Sequence, residues 1–213
     1  MTRNRVVLVA FIAMMSIFGV VFMNGAGQGT PLMVKLAEMQ SETKTGITGD
    51  GLQPRHAIQN SDRWSSIVIH HSGHPLDDHR SIDRRHREQL NFARLGYHFV
   101  IGNGARGLAD GEAFVSARWD RQEDGAHLPS NLDTAKSVTN GNSIAICVVG
   151  NGDLQPFTPG QVNRLIALVA RLQRDFNIPD HQVWPASDLV ESMASPGRFF
   201  PLVDFEQRLA LED

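Results

Sequence analysis

The apolar positions of the chain fall into three regimes. Residues 6–23 form a largely apolar run with no charge, residues 24 to about 62 are rich in Gly, Ser, Thr and charge, and from Trp64 short apolar runs alternate with amphipathic ones. In the third regime "SSIVIHH" is β-branched and brief, which predicts a strand. "DDHRSIDRRHREQLNFARLG" predicts a helix with Ile82, His86, Leu90 and Ala93 on one face and Gly96 as its C-cap. "YHFVIGNG" predicts a second strand running into a Gly-rich turn, and "EAFVSARW" a third. "NSIAICVVGNG" is the continuous apolar run of a strand buried on both faces. "TPGQVNRLIALVARLQRDFNIP" predicts the longest helix: Thr158 and Gln161 form a capping box, Pro159 takes the first helical position, and Val162, Leu165, Ile166, Val169, Leu172 and Phe176 make the stripe. A strand near "HQVW" and a helix over "LVDFEQRLALE" complete the pattern. Strands alternating with helices imply an α/β layer structure around a mixed sheet.

The N-terminal run carries a targeting signal. As a helix its 18 residues span about 27 Å, close to a hydrocarbon core, and Arg3 and Arg5 precede it. Positive charge there keeps the N-terminus in the cytoplasm and sends the rest outside. Residues 1–28 are therefore expected to be a signal anchor, a transmembrane helix, or a signal peptide cleaved near "NGAGQG"; the length of the run favours the anchor. A flexible tether follows over 29–62, and a domain over 63–213. The expected address is the cell envelope, extracytoplasmic, with the membrane as a partner, or secretion if the signal is cleaved. With a net charge of −3 and scattered basic residues, nothing argues for nucleic acid. The single cysteine, Cys147, excludes an internal disulfide and a Cys-rich metal cluster, and its apolar surroundings read as a buried thiol.

The chemistry concentrates in "SIVIHHSGH", where His70, His71 and His74 follow an apolar strand. Adjacent histidines at a strand end present one imidazole to each face, so one can ligate a metal while the other packs or supports it. A pair of half-exposed polar residues is the plainer reading, and the residues alone leave both open. His74, His79 and His86 read as loop or helix-surface residues.

"IVIHHSG", "LGYHFVIGNG", the "GAH" of residues 125–127, "NSIAICVVGN" and "SPGRFFP" occur in an order and spacing that resembles one family. It is the zinc-dependent N-acetylmuramoyl-L-alanine amidases of the type shared with peptidoglycan recognition proteins and phage-lysozyme amidases. The likeness covers about residues 64 to 210. It implies a mixed, mostly parallel central sheet flanked by helices, and a zinc held by a strand-end His, a later His and a Cys before a Pro-Gly turn. The first ligand position matches His70, with His71 beside it. Tyr97 matches a catalytic Tyr that positions or polarises the scissile amide, His98 follows it on the opposite face, and His127 matches a groove residue. Substrate contacts would thus come from Tyr97, His127 and His71.

The resemblance departs where the other ligands belong. "VWPASDLVESMASPGRFFP" puts Ala186 (or Ser187, with a shifted gap) at the second His position and Ser195 at the Cys position. Neither replaces an imidazole or a thiolate. Cys147 lies in a strand, and His181 would have to swing around "HQVW". Three functions follow: a cell-wall muropeptide binder without hydrolysis and with no cofactor; a zinc amidase cleaving the lactyl–L-Ala amide through unexpected ligands; or a structural or protein-interaction domain of the envelope.

Overall fold

The computed structural model describes residues 61–130 and 136–212. The anchor or signal expected over 1–28 and all but the last two residues of the tether lie outside them. Among the described residues no helix is long and apolar enough to cross a membrane.

Five strands form one sheet among these residues, in the order β3-β2-β4-β1-β5: β1 (Ser66–His71), β2 (Phe99–Ile101), β3 (Ala113–Val115), β4 (Ser143–Val148) and β5 (Val183–Pro185). All neighbours are parallel except the β2–β3 hairpin. The sheet is thus mixed and mostly parallel, as expected. The central pair, β1 and β4, runs in register from Ser66 opposite Ser143 to His71 opposite Val148.

Side-chain alternation assigns the two faces. Ile67, Ile69, Phe99, Ile101, Ile144, Ile146 and Val148 point to one face and pack against α3 (Pro159–Phe176) and α4 (Leu202–Leu209). Helix α3 starts on the Thr158–Gln161 capping box with Pro159 in its first turn, and Gln161 Nε2 also donates to Val149 O at 2.7 Å, fixing the helix over the end of β4. Val68, Val100 and Cys147 point to the other face, under α1 (His79–Leu90) and the loops around Leu128 and Leu189.

Two expected boundaries move. Helix α1 ends at Leu90, not near Gly96, because Asn91 turns left-handed at φ 55° and the Asp83 carboxylate accepts the Leu95 N–H at 2.5 Å, drawing the chain back. Gly96 instead serves close packing: a Cβ there would lie 2.2 Å from Ala126 O. The strand expected over "EAFVSARW" keeps only Ala113–Val115, and after Ser116 the chain makes the short helix α2 (Ala117–Asp120).

Candidate functional site

Strand β1 ends with His70 on the α1 face and His71 on the opposite one. His70 is buried, and its Nε2 lies 3.0 Å from His127 Nδ1. His127 Nε2 lies 3.1 Å from Ser143 Oγ, whose hydroxyl donates to Thr139 O. Because that hydroxyl proton is taken, Ser143 accepts from His127 Nε2–H, His127 Nδ1 accepts, and His70 Nε2–H is the donor. One chain of hydrogen bonds therefore fixes both tautomers, and both rings are neutral. Burial, with the neighbouring His71 and His86, pushes His70 down to about 3, and burial lowers His127 well below its ordinary range. Asn140 holds the segment in place: its Oδ1 accepts the His127 and Leu128 N–H groups, and its amide donates to Leu128 O.

Next to this network lies a groove of about 570 Å³, lined by His70, His71, Tyr97, His127, Leu128 and Ser195 among others. The Tyr97 ring stands between two imidazoles, 5.2 Å from His70 and 5.2 Å from His86. Burial holds its phenol well above the usual range, so the hydroxyl stays protonated at physiological pH. His86 is not the helix-surface residue expected. It is buried, its Nδ1 accepts the Gly96 N–H at 2.9 Å, and burial lowers it to about 4. Its i, i+4 spacing from Ile82 carried that signal, since Ile82 is fully buried on the same face. His79 is half-buried and stacks on Phe114 at 3.9 Å, while His74 is exposed. His98 is buried against Trp64 and Trp119, with Nδ1 accepting the Ala145 N–H and Nε2 facing Glu123 O.

The remaining positions meet at the same strand end. The last β1–β5 pair is Ile69 with Pro185, so one step on Ala186 comes level with His70. Ala186 is fully buried, packed with Val68 and Leu128 on the His70 face. The Ser195 hydroxyl accepts the His71 N–H at 2.6 Å, and His71 Nδ1 lies 3.0 Å from both Gly152 N and Pro196 O, so it either accepts the Gly152 N–H or donates to the Pro196 carbonyl. A zinc ion does not fit these residues. Ala186 offers a methyl, Ser195 a hydroxyl engaged with backbone, and His70 Nε2 carries the proton given to His127. Among the described residues no three His, Cys, Asp or Glu could hold a metal ion. His181 does not reach the site: it sits in the 3-10 turn Asp180–Gln182 before β5, whose first paired residue, Val183, already lies opposite Ile67, and it lines a pocket with Ile69 and α4, on the face opposite His70. Burial pushes the Cys147 thiol well above its normal range.

Sequence reasoning located His70, Tyr97 and His127 at one groove. It placed His127 among the substrate contacts, whereas both its ring nitrogens have partners within the fold. It missed Asn140 and Ser143, which give no signal without knowing that residues 127 and 143 meet.

The family profile described as N-acetylmuramoyl-L-alanine amidase matches residues 60–198. No curated protein sequence matches the chain. Among solved structures, the N-acetylmuramoyl-L-alanine amidase LysC from Clostridium intestinale superposes with a TM-score of 0.58 at 24% identity, covering 73% of this chain and 91% of its own. PGRP-SA of Apis mellifera gives 0.52 at 20% identity, covering 65% and 79%. Human PGRP-IBETAC, solved with glycosamyl muramyl pentapeptide, gives 0.53 at 16%, covering 71% and 85%. At these identities the likeness speaks for the fold.

Proposed function

Because the chain belongs to the N-acetylmuramoyl-L-alanine amidase family, we propose that it binds cell-wall muropeptide in the groove at the end of β1 without hydrolysing it. The observation that carries this reading is the double use of the strand end. The groove stays open beside Tyr97, while His70 Nε2 is bound to His127 and the two positions that should complete a metal site hold Ala186 and Ser195. A catalytic zinc needs about three protein ligands to hold it and to lower the pKa of its bound water to about 7. One of three remains, and its ring is hydrogen-bonded elsewhere.

The groove suits a sugar–peptide ligand in size and surface. Its volume of about 570 Å³ falls within the usual range of roughly 300–1,000 Å³ for ligand pockets. Tyr97 offers a flat apolar ring with a protonated hydroxyl at its rim, a combination that stacks on pyranose faces and bonds amides. The muramyl pentapeptide held by human PGRP-IBETAC supports a ligand of this class on this fold. An extracytoplasmic domain behind an N-terminal anchor would have the wall within reach.

The test is co-sedimentation of the purified protein with cell-wall sacculi, followed by analysis of the soluble fraction for released stem peptides. The expected result is saturable binding without release. Release of stem peptides would restore the hydrolase reading, and absence of binding would leave a structural domain.

A further inference from the structure

Although the basic residues are scattered in sequence, folding gathers five of them. Arg80, Arg87, Arg94, Arg118 and Arg121 line a cavity of about 500 Å³ bounded by one side of α1, the 93–95 segment and the residues around α2. It shares no lining residue with the groove: His79, Asp83 and Arg87 of α1 face this cavity, whereas His86 and Leu90 face the groove.

The guanidinium groups are incompletely neutralised. Asp83 bonds Arg87 at 2.8 Å, and Glu123 is shared by Arg94 at 2.9 Å and Arg121 at 3.7 Å. Among the described residues Arg118 donates to the backbone carbonyls of Leu95 and Asp124 and has no ion pair, and neither has Arg80. Five cations thus share two ion-paired carboxylates, with Asp124 a third near Arg118, in a chain of net charge −3. A second observation is independent of charge. Ser116 lines the cavity, is 2% exposed, and its hydroxyl is buried with no hydrogen-bond partner; His79 Nδ1 in the same wall is also buried and unpartnered. Buried polar atoms are rarely left this way unless something absent completes them.

We infer that this cavity is an oxyanion site for a phosphate group, carried by a soluble phosphate ester or by an anionic phospholipid headgroup. Guanidinium forks match phosphate oxygens in pairs, and a tetrahedral anion, doubly charged in a monoester and singly charged in a diester headgroup, answers the excess of positive charge with more than one such pair. The Ser116 hydroxyl would supply a neutral donor at the floor, and the stacked rings of His79 and Phe114, 3.9 Å apart, a flat wall.

The test is titration calorimetry on the full-length protein with inorganic phosphate, glycerol phosphate, monomeric dihexanoylphosphatidylglycerol and acetate. Saturable binding of a phosphate probe is expected, weakening as salt rises. Preference for glycerol phosphate over the lipid would identify the soluble ester as the source, and the reverse preference the headgroup. Arg80→Gln with Arg121→Gln should weaken binding by about tenfold or more. Ser116→Ala should weaken it about threefold while leaving the melting temperature unchanged or raised, since no bond within the fold is lost. Arg208→Gln, on α4 across the sheet, should change nothing. No saturable heat with any phosphate probe, equal affinity for acetate, or unaltered phosphate binding in both the arginine and Ser116 variants would overturn the assignment.

Discussion

The β2 side and the β5 side of the groove meet at His70, and they put their residues to different use. On the β2 side Tyr97 faces the groove with its hydroxyl protonated, and His127 sits behind it in a hydrogen-bonded chain to His70 and Ser143. On the β5 side Ala186 is core, packed with Val68 and Leu128, and Ser195 latches its loop to the His71 N–H. Backbone geometry still brings both sides together. On the reading proposed above, the residues expected as metal ligands on the β5 side do packing and hydrogen-bonding work instead, and the strand register and the turn still set them beside His70.

The comparison breaks most decisively if the β5 side can be given its donors back. Ala186→His with Ser195→Cys should raise zinc affinity by about a thousandfold or more, since a full set of strong ligands is worth on the order of 10 kcal/mol. The imidazole must enter a filled site, at a cost of about 1–3 kcal/mol that zinc should offset, so elemental analysis should be paired with melts with and without zinc. Zinc uptake no higher than the parent's would mean that Ala186 does not stand level with His70, and Ser187→His would be the next variant.

The β2 side is sharpened by separating binding from folding. Tyr97→Ala should weaken sacculus binding about tenfold, and Tyr97→Phe about threefold through loss of the hydroxyl alone. If binding holds while the melting temperature falls by many degrees, Tyr97 belongs to the core and the groove loses its recognition surface.

Acid should act on the histidine-rich side first. His70, His86, His98 and His127 are held neutral by burial, with His70 lowered to about 3 and His86 and His98 to about 4. In the unfolded chain each titrates near 6.5, so between about pH 6.5 and about pH 4 the unfolded state binds more protons. Stability is complete above about pH 6.5 and is lost as pH falls, at up to about 1.4 kcal/mol per pH unit for each such histidine. Thermal melts across that window should show a steady fall; a flat profile would mean that these rings are already charged in the fold. The smallest effect belongs to the latch: Ser195→Ala orphans the His71 N–H and should destabilise by about 1–2 kcal/mol, read by denaturant unfolding.

Much of this was legible in the chain. The capping box at Thr158 and the β-branched run in "SIVIHH" placed α3 and β1, because both patterns are local. The family likeness placed His70, Tyr97 and His127 together, and strand register supports Ala186 beside His70. The end of α1 was misread because a side chain 12 residues away, Asp83 on Leu95, turns the chain there. His86 looked superficial because a polar residue on an apolar face gives no sign of its partner, Gly96 N–H. The tautomers of His70 and His127 depend on Ser143, which only folding brings within reach.

The most direct measurement mixes the protein with a soluble muramyl pentapeptide and follows it by native mass spectrometry over hours. The account predicts a complex carrying the intact ligand mass, lost in Tyr97→Ala, with the free ligand unchanged at every time point. Free stem peptide accumulating alongside the lactyl sugar would contradict it, as would a spectrum showing only the unliganded protein.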